Sequence, residues 1–281
     1  MSIGSPRRAL AAAVAALPAT FFIGTSRAQV AGESTLDRVT RTKQLRLAAV
    51  PGSPPYFKKD VATGEWSGAA IEMAKGIASV WGADLVFVET SYGNSVLDLQ
   101  ANKIDIAFPL NPTPERALAI GFTKPFIVMP YGCLARSGFS PQSWADLNKP
   151  GVRIAFDLGS LHETCARRFA PKAQLIGYES IQQCVLALQT GHVDAEVIAA
   201  IIGLSMIGQN PSLGPYHLLG MPTAALPGCY GIQREPDTRF RDVVNAWIDF
   251  NRGIGTIREM MINGLALNGV TPDQVPASLT F

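Results

Sequence analysis

The sequence has few charged residues, and it lacks the charge clusters and long apolar runs that mark several large classes of protein. Charged side chains make up 16% of the 281 residues, and no cluster of Lys and Arg suits nucleic acid or an anionic membrane surface. Beyond the N-terminal segment, no apolar run approaches the roughly 18 residues of a membrane-spanning helix. No Ser/His/Asp set, phosphate-binding loop or metal-ligand cluster is recognisable, so we expect no catalytic centre of these types and no cofactor.

Cysteine is also scarce, with four in the whole chain. Their spacing is not that of a zinc site. Cys165 and Cys184 fall inside predicted helices, which favours buried free thiols. In an exported protein the cysteines could be oxidised, and four of them would allow three disulfide pairings.

The N-terminus has the pattern of an export signal. Arg7 and Arg8 precede an apolar run that is too short to span a membrane, and a small-x-small cleavage site ends at Ala28. The Arg pair leaves both general secretion and twin-arginine export open. We therefore expect a signal peptide over residues 1–28 and a periplasmic protein. Its removal takes away three Arg and no acid, which leaves 21 Lys+Arg against 22 Asp+Glu and moves the formal charge from +2 to −1.

Short apolar runs alternate with helical patterns in the first half of the chain. The predicted strands cover 45–50, 83–90 and 104–110, and the predicted helices cover 69–82 and 95–103. This alternation predicts parallel βαβ units with helices on both faces of a sheet, which is an α/β fold.

The same alternation of predicted strands and helices starts again after a long extended run at 126–136. The second set has strands at 152–156, 173–178 and 193–199 and helices at 161–170 and 180–191. Another extended run at 229–235 leads into a helical tail without strands, which we expect to pack on the first lobe. The sequence thus predicts a discontinuous lobe 1 (36–130 plus 230–281) and a lobe 2 (131–229), with two strands crossing between them.

The stretch Thr113-Pro114-Glu115-Arg116 begins a helix with one residue out of place. Thr113 is a good N-cap, Pro114 suits the first helical position and Glu115 suits the first turn. Arg116 does not, because a cation there faces the positive end of the helix dipole. An anion in front of the helix would meet both the guanidinium and the free backbone N–H groups. Arg116 is therefore a candidate carboxylate receptor, and the alternative is a surface arginine paired with a nearby acid.

Several motifs along the chain resemble a single family. G-x-W-x-G-x-x-I-E-M-A follows the first strand, and LDLQANKIDIAF, PTPERALAIGFTKPF, WADLNKPGVRIAFDLGS, YESIQQCVLALQTGHVDA and YGIQRE come after it in order. From about Leu36 to Gly264 this order resembles the bacterial extracellular solute-binding proteins of family 3, the periplasmic receptors for polar amino acids in ABC importers. The resemblance implies a two-lobed periplasmic-binding-protein fold of type II, with two hinge strands between the lobes.

The resemblance also implies partners and covalent structure. The lobes would close on a small carboxylate ligand and hand it to an ABC permease in the inner membrane. We expect a monomer with no nucleic-acid partner and no enzymatic activity. Because the hinge strands lie close in that fold, the resemblance leaves a Cys133–Cys229 disulfide open.

Family members place two groups on the ligand carboxylate. The arginine of T-x-x-R, here Arg116, forms a bidentate salt bridge with it. A glycine-hydroxyl loop at a helix start in the other lobe meets it through backbone N–H groups. Gly159 and Ser160 fit this loop, and Leu161 stands where a second small polar residue is usual. We expect His162 to be an exposed residue of the first helical turn.

One departure from the family pattern concerns the ammonium group of an amino acid ligand. Members that hold α-amino acids usually place an Asp just beyond V-D-A to pair with the ammonium, and Ala199 occupies that position here. Glu196 lies three residues earlier, which predicts the opposite face of a strand, and Asp194 is expected to be structural. An ammonium buried without a counter-charge is costly, so the sequence predicts a ligand that does not depend on an amine.

The first lobe departs from the family pattern as well. Asn111 replaces a Ser/Thr that helps to hold the ligand, and Phe108 and Pro109 precede it. Ser53 stands roughly where an aromatic often stacks on the ligand, with Tyr56 as a candidate wall residue. Phe108 and Tyr56 are equally compatible with the core. We expect a carboxylate ligand with a more apolar body than a polar amino acid, such as a keto, hydroxy or aromatic acid.

Two other functions stay open at this point. Some dehydratases that resemble this family act on cyclic carboxylic acids, but such chemistry needs a positioned general acid or base. Only His162, Glu163 and Glu196 could be offered for that role. An accessory protein that docks on a periplasmic redox enzyme would use the same fold without a functional ligand cleft.

Overall fold

Ten strands of the described chain form one curled, mixed β-sheet, and two more form a separate hairpin. The structure is a computed structural model that describes residue 1, residues 32–275 and residue 279, so the predicted signal peptide lies outside the described residues apart from Met1. The strands are β1 (Gln44–Ala49), β2 (Lys58–Lys59), β3 (Trp66–Ser67), β4 (Asp84–Glu89), β5 (Ile106–Leu110), β6 (Gly121–Phe122), β7 (Ile127–Ala135), β8 (Arg153–Asp157), β9 (Gln174–Tyr178), β10 (Ala195–Ala199), β11 (Tyr216–His217) and β12 (Ala225–Ile232). The helices are α1 (Thr35–Thr42), α2 (Ala69–Ser79), α3 (Asn94–Gln100), α4 (Pro114–Ala119), α5 (Trp144–Leu147), α6 (Leu161–Phe169), α7 (Ile181–Gln189), α8 (Ala200–Gln209), α9 (Arg239–Gly253) and α10 (Thr256–Ala266).

The sheet contains two parallel groups of strands that are joined by two long antiparallel strands. Its order is β4-β1-β5-β12-β7-β10-β8-β9, with β6 beside β12 and β11 beside β7. β1 pairs in parallel with β4 and β5, and β8 pairs in parallel with β9 and β10. β7 and β12 run antiparallel to each other between the groups. The chain passes from one group to the other through β7 and returns through β12, which gives two lobes.

The predicted alternation of strands and helices is confirmed, with boundaries that shift by a few residues. Three helices, α1, α5 and α8, are not predicted from the sequence, and the longest of them is α8. It follows β10 directly, inside the continuous apolar run VIAAIIGLSMIG. Such a run does not reveal by periodicity where a strand gives way to a helix. None of the helices in the described ranges combines the length and the apolar character that a bilayer crossing requires.

The helical tail packs on the first lobe. Gly264 of α10 lies so close to α2 that a Cβ on it would sit 3.0 Å from the Cβ of Ala69. Gly76 of α2 faces Trp247 of α9, whose ring would lie 2.7 Å from an added Cβ. Glycine at these two positions therefore allows both tail helices to approach α2 closely.

Each lobe holds its first strand to the strand beside it through an aspartate, an arrangement that we call the Asp–Arg clasp. In lobe 1, Asp105 accepts hydrogen bonds from the backbone N–H (2.7 Å) and the guanidinium of Arg46. In lobe 2, Asp194 accepts from the backbone N–H (2.9 Å) and the guanidinium of Arg153, and also from Arg136. The hydrogen bonds from Arg153 lower the pKa of Asp194 well below its usual range. Asp194 is thus a structural residue, as its place in V-D-A predicts.

The four tryptophans pack against other elements of the two lobes. Trp66 stacks on Phe87 with ring centroids 6.0 Å apart, and Trp81 stacks on Phe240 at 5.4 Å. Trp144 lies beside Phe169 at 4.9 Å, and Trp247 lies under α2 as described above.

The structure overturns the Cys133–Cys229 pairing that the resemblance left open. Both residues are buried free thiols, and so are Cys165 and Cys184, as their helical positions predict. The reason lies in the register of β7 and β12, which pairs Gly228 with Ile127. Continuing this register places Cys229 opposite Phe126, seven residues from Cys133, or about 23 Å at roughly 3.3 Å per residue. A disulfide needs Cα atoms within about 7 Å of each other.

Candidate functional site

A cleft of ≈330 Å³, counted with its solvent-open space, lies between the two lobes. Lobe 1 contributes the ends of β4 and β5 and the start of α4, lobe 2 contributes the starts of α6 and α8, and β7 forms the floor. This is the edge where parallel α/β sheets present their strand ends to ligands. The lining residues are Tyr92, Pro109, Leu110, Asn111, Arg116, Met129, Tyr131, Ser160, Leu161, His162, Ala199 and Ile202.

Arg116 extends from the start of α4 into this cleft. The helix begins as predicted, with Thr113 as N-cap accepting from the backbone N–H of Arg116 at 3.2 Å and with Pro114 in the first turn. The guanidinium donates to the carbonyl of Asn111 at 3.3 Å and across the cleft to the carbonyl of Gly159 at 2.8 Å. Burial lowers the pKa of Arg116, although Tyr131 and Asp157 act in the opposite direction. No carboxylate of the described residues forms an ion pair with Arg116, so its hydrogen-bond partners are neutral carbonyls.

Asn111 and Tyr131 form a rigid polar corner beside Arg116. The Asn111 amide donates to the carbonyl of Pro227 on β12 at 2.7 Å and accepts from the Tyr131 hydroxyl at 3.0 Å. Both side chains are buried, and burial raises the pKa of Tyr131 above its ordinary value. This corner ties β5 to both crossing strands and fixes the floor of the cleft.

The start of α6 faces Arg116 from the second lobe, and its backbone differs from the expectation. Gly159 has a left-handed φ of 72°, and its N–H, which the resemblance aims at a ligand, donates instead to Glu163 of its own helix at 2.8 Å. Ser160 is the N-cap of α6 and accepts from the N–H of Glu163. Ser160 and Leu161 line the cleft, whereas Gly159 meets it through the carbonyl that binds Arg116.

The expectation that His162 is exposed is wrong. His162 is 4% exposed, lines the cleft and bonds through Nδ1 to Oδ1 of Asp157 at 2.5 Å. Burial by itself would raise the pKa of Asp157, but the charge and hydrogen bond of His162 outweigh it and lower this pKa. The first turn of α6 points across the cleft rather than into solvent, because Asp157 at the end of β8 draws the imidazole inward.

Three of the predicted site residues lie behind the cleft wall. Phe108 stacks on Phe126 at 4.5 Å and packs on Tyr230 at 4.7 Å in the core of lobe 1. Tyr56 is fully buried beside Phe108, and its hydroxyl reaches the sulfur of Met129 at 2.8 Å. Ser53 is also fully buried.

Tyr92 lines the cleft together with Tyr131, and it separates Ser53 from the cleft. Ser53 forms a short hydrogen bond with the Tyr92 hydroxyl. Tyr92 follows β4, at the end of a parallel strand, and this position is the signal that could have identified it. The signal for Tyr131 is a different one, its place on the crossing strand β7 between the lobes.

The cleft is poor in negative charge. Ala199 ends β10 and lines the cleft, while Glu196 is 1% exposed and is not a lining residue. Burial, with Asp157 nearby, raises the pKa of Glu196 well above its ordinary value. No Asp or Glu among the residues that the structure describes lines the cleft, so its charged groups are Arg116 and the ionisable His162.

Direct contacts hold the two lobes together around this cleft. Gln182 of α7 donates to the carbonyl of Pro51 in lobe 1 at 2.8 Å. Gly93 lies so close to the loop before α6 that an added Cβ would sit 3.0 Å from the Leu158 carbonyl oxygen. A second interlobe space of ≈470 Å³, counted with open solvent, shares Tyr92 with the cleft and is lined by Asp157 and Glu179 among others.

Comparison with known proteins identifies the family. The sequence profile of the bacterial extracellular solute-binding proteins, family 3, matches residues 45–262. A probable histidine-binding protein of Campylobacter jejuni is 29% identical over 179 residues, which cover 63% of this chain and 68% of that protein. The cyclohexadienyl dehydratase of Pseudomonas aeruginosa is 26% identical over 242 residues, which cover 82% of this chain and 86% of that enzyme.

A solved structure shows the same fold. The ancestral amino acid-binding protein AncCDT-1, a precursor of cyclohexadienyl dehydratase, superposes with a TM-score of 0.74 at 26% identity and covers 83% of this chain and 100% of its own. The two lobes, the crossing strands and the matched profile therefore lead to one conclusion. The chain belongs to the bacterial extracellular solute-binding proteins, family 3.

Proposed function

We propose that this protein is the periplasmic solute-binding component of an ABC importer and that it clamps a small carboxylate-bearing ligand between its lobes. The observation that carries the proposal is the Arg116 guanidinium, which lies partly buried between the lobes and, among the described residues, has only carbonyl partners. A ligand carboxylate would replace these neutral acceptors with a charge-assisted, two-pronged pair in a desolvated site. Export through the Arg7-Arg8 leader and release to a permease follow the family's general scheme.

The lining of the cleft supports a ligand with a mainly apolar body. Around Arg116 the walls are Leu110, Met129, Leu161, Ala199 and Ile202, with the rings of Tyr92 and Tyr131. Pro109, Asn111 and Ser160 supply the remaining first contacts, and the Gly159 carbonyl would be released when the carboxylate binds. The absence of Asp and Glu from the described lining favours acids that do not depend on an amine, such as hydroxy, keto or aromatic acids.

The lobes in this proposal are residues 36–130 with 230–281 and residues 131–229, and they hinge about β7 and β12. Phe108, Tyr56 and Ser53 act by supporting the wall behind Met129 and Tyr92. The protein works as a monomer, with a permease as its partner.

Replacing Arg116 tests the proposal. We expect Arg116→Met to weaken binding of any acid that the parent binds by about 100-fold or more, because truncating one partner of a desolvated charge pair costs on the order of 2–5 kcal/mol. Calorimetry on acids found by a thermal-shift screen measures the change. Arg252→Met is the matched control, because Arg252 also donates to a backbone carbonyl, that of Pro125 at 3.0 Å, but outside the cleft. Equal affinity of Arg116→Met and the parent would refute the proposal.

A second candidate is a dehydratase-like enzyme that acts on a small carboxylic acid. The relative from Pseudomonas aeruginosa motivates it, and the observation that favours it is the His162–Asp157 pair, which resembles a base with its orienting carboxylate. Product analysis after incubation with each bound acid separates the two functions. Unchanged ligand recovered from the protein supports a binder.

A further inference from the structure

His162 is the second ionisable group of the cleft, and a hydrogen bond to Asp157 fixes its ring. Its Nδ1 bonds to Asp157, while Nε2 has no hydrogen-bond partner among the described residues and is not sealed from solvent. The imidazole is 5.7 Å from the ring of Tyr131, whose hydroxyl leads through Asn111 toward Arg116. Nε2 is therefore an open polar atom in the lobe 2 wall of the cleft that Arg116 also lines.

The charges around His162 come from several elements. Asp157 ends β8, Arg116 lies on α4 and the phenols of Tyr92 and Tyr131 share the cleft. On its own helix, Glu163 is engaged by the Gly159 N–H and by Arg167, and the Cys165 thiol has a pKa raised to about 12 by burial. Behind Asp157, burial keeps Glu196 in its protonated form to higher pH than usual. Asp157 is thus the carboxylate that sets the orientation of the imidazole.

This pairing fixes which nitrogen of the neutral imidazole carries the proton. A deprotonated carboxylate can only accept hydrogen bonds, so Nδ1 must donate to Asp157. In the neutral ring Nε2 then presents a lone pair, and in the protonated ring it presents an N–H. The neutral ring therefore presents a hydrogen-bond acceptor to the cleft.

We propose that Nε2 of His162 determines ligand specificity by accepting the O–H of the group next to the ligand carboxylate, so that the cleft selects a 2-hydroxy acid over the matched 2-oxo acid. This inference rests on the proposed function, because Arg116 must hold the carboxylate so that the neighbouring group meets Nε2. An unpaired acceptor facing the carbonyl of an oxo acid gives the discrimination at neutral pH.

Matched pairs of acids test the inference. Calorimetry at pH about 8 compares lactate with pyruvate, 2-hydroxyisocaproate with 2-oxoisocaproate, and phenyllactate with phenylpyruvate, with leucine and phenylalanine as amine-bearing counterparts. For the pair whose body fits, we expect the hydroxy acid to bind at least about 10-fold more tightly than the oxo acid.

Two variants separate a reading role from a structural one. His162→Gln keeps a polar side chain whose amide can both donate and accept, so it should still bind the acid, but with a hydroxy-to-oxo affinity ratio near one. His192→Gln is the matched control, because exposed His192 bonds to Thr190 outside the cleft. It should behave like the parent.

The outcomes distinguish the inference from the proposed function. If no acid binds the parent, the proposed function fails and the inference fails with it. If acids bind through Arg116 but the parent does not favour the hydroxy acid, or His162→Gln favours it as strongly as the parent does, the function stands and the inference is overturned. Tighter binding of leucine or phenylalanine than of the matching hydroxy acid also overturns it, since the amine would then be the group that is read.

Discussion

At the scale of single residues, Ala199 places a methyl group, and no carboxylate, in the wall of the cleft. It is the N-cap of α8, provides no side-chain cap and lines the cleft. Asp at this position would be a favourable cap and would add a negative charge opposite Arg116. We expect Ala199→Asp to raise the affinity for an α-amino acid relative to its matched hydroxy acid by about 10-fold or more, measured by calorimetry.

The control for this change is Ala199→Asn, which keeps the cap without the charge. It should leave the ratio between the amino acid and the hydroxy acid near that of the parent. If Asn and Asp shift the ratio equally, capping rather than charge is responsible, and the charge-poor cleft does not explain ligand choice.

Glu196 is a second residue with a measurable consequence. Its pKa is raised by burial, so above the unfolded value of 4.5 the native state holds a proton that the unfolded state has released. Stability contributed by this group is therefore present at low pH and is lost as pH rises toward the folded pKa. We expect the melting temperature of Glu196→Gln minus that of the parent to increase as pH rises from about 5 to about 8. A melting-temperature difference that is constant over this range would contradict the assignment.

At the scale of secondary-structure elements, the Asp–Arg clasp predicts opposite behaviour. The pKa of Asp194 is lowered, so its contribution is fully present above the unfolded value of 3.8 and is lost as pH falls through the folded pKa. Asp194→Asn should lower the melting temperature at pH 7. The Arg136 guanidinium, the Arg153 guanidinium and the Arg153 backbone N–H would then no longer donate to a charged acceptor. Thermal melts at decreasing pH should show this deficit shrinking below about pH 4.

The elements also show what the sequence can and cannot reveal. Alternating strands and helices, the N-cap at Thr113 and the two crossing strands follow from local patterns, because capping chemistry and hydrophobic periodicity are properties of neighbouring residues. The wall of the cleft does not. Phe108 and Tyr56 have side chains that suit either a core or a binding site, and only the packing of Phe126 and Tyr230 places them in the core.

His162 illustrates the same limit from the other side. A histidine in a first helical turn usually faces solvent, and its burial here depends on the Asp157 carboxylate and on the opposite lobe, neither of which local sequence reveals. By contrast, the unfavourable position of Arg116 in its helix does indicate the cleft, because that conflict is local. The binding roles of Arg116 and the other lining residues stay predictions until ligands are measured.

At the scale of the whole molecule, Gly93 of lobe 1 approaches the loop before α6 of lobe 2. Gly93 has ordinary helical backbone angles, so a larger residue is tolerated by its own conformation, but an added Cβ would lie 3.0 Å from the Leu158 carbonyl oxygen. We expect Gly93→Val to hold the lobes apart, which enlarges the radius of gyration in small-angle scattering and weakens binding of the proposed ligand. Gly253→Val is the control, since none of the described residues lies within 4 Å of its Cβ position. Scattering curves of the two variants that coincide would argue against this contact as the limit to closure.

The placement of the tryptophans has a practical consequence. All four indoles lie against Phe87, Phe240, Phe169 or α2, and none is a lining residue of the cleft. Tryptophan fluorescence will therefore report on the interior of each lobe and change little when the proposed ligand binds. Fluorescence titrations need a fluorophore introduced at the rim of the cleft, or the signal of Tyr92 and Tyr131, which line it.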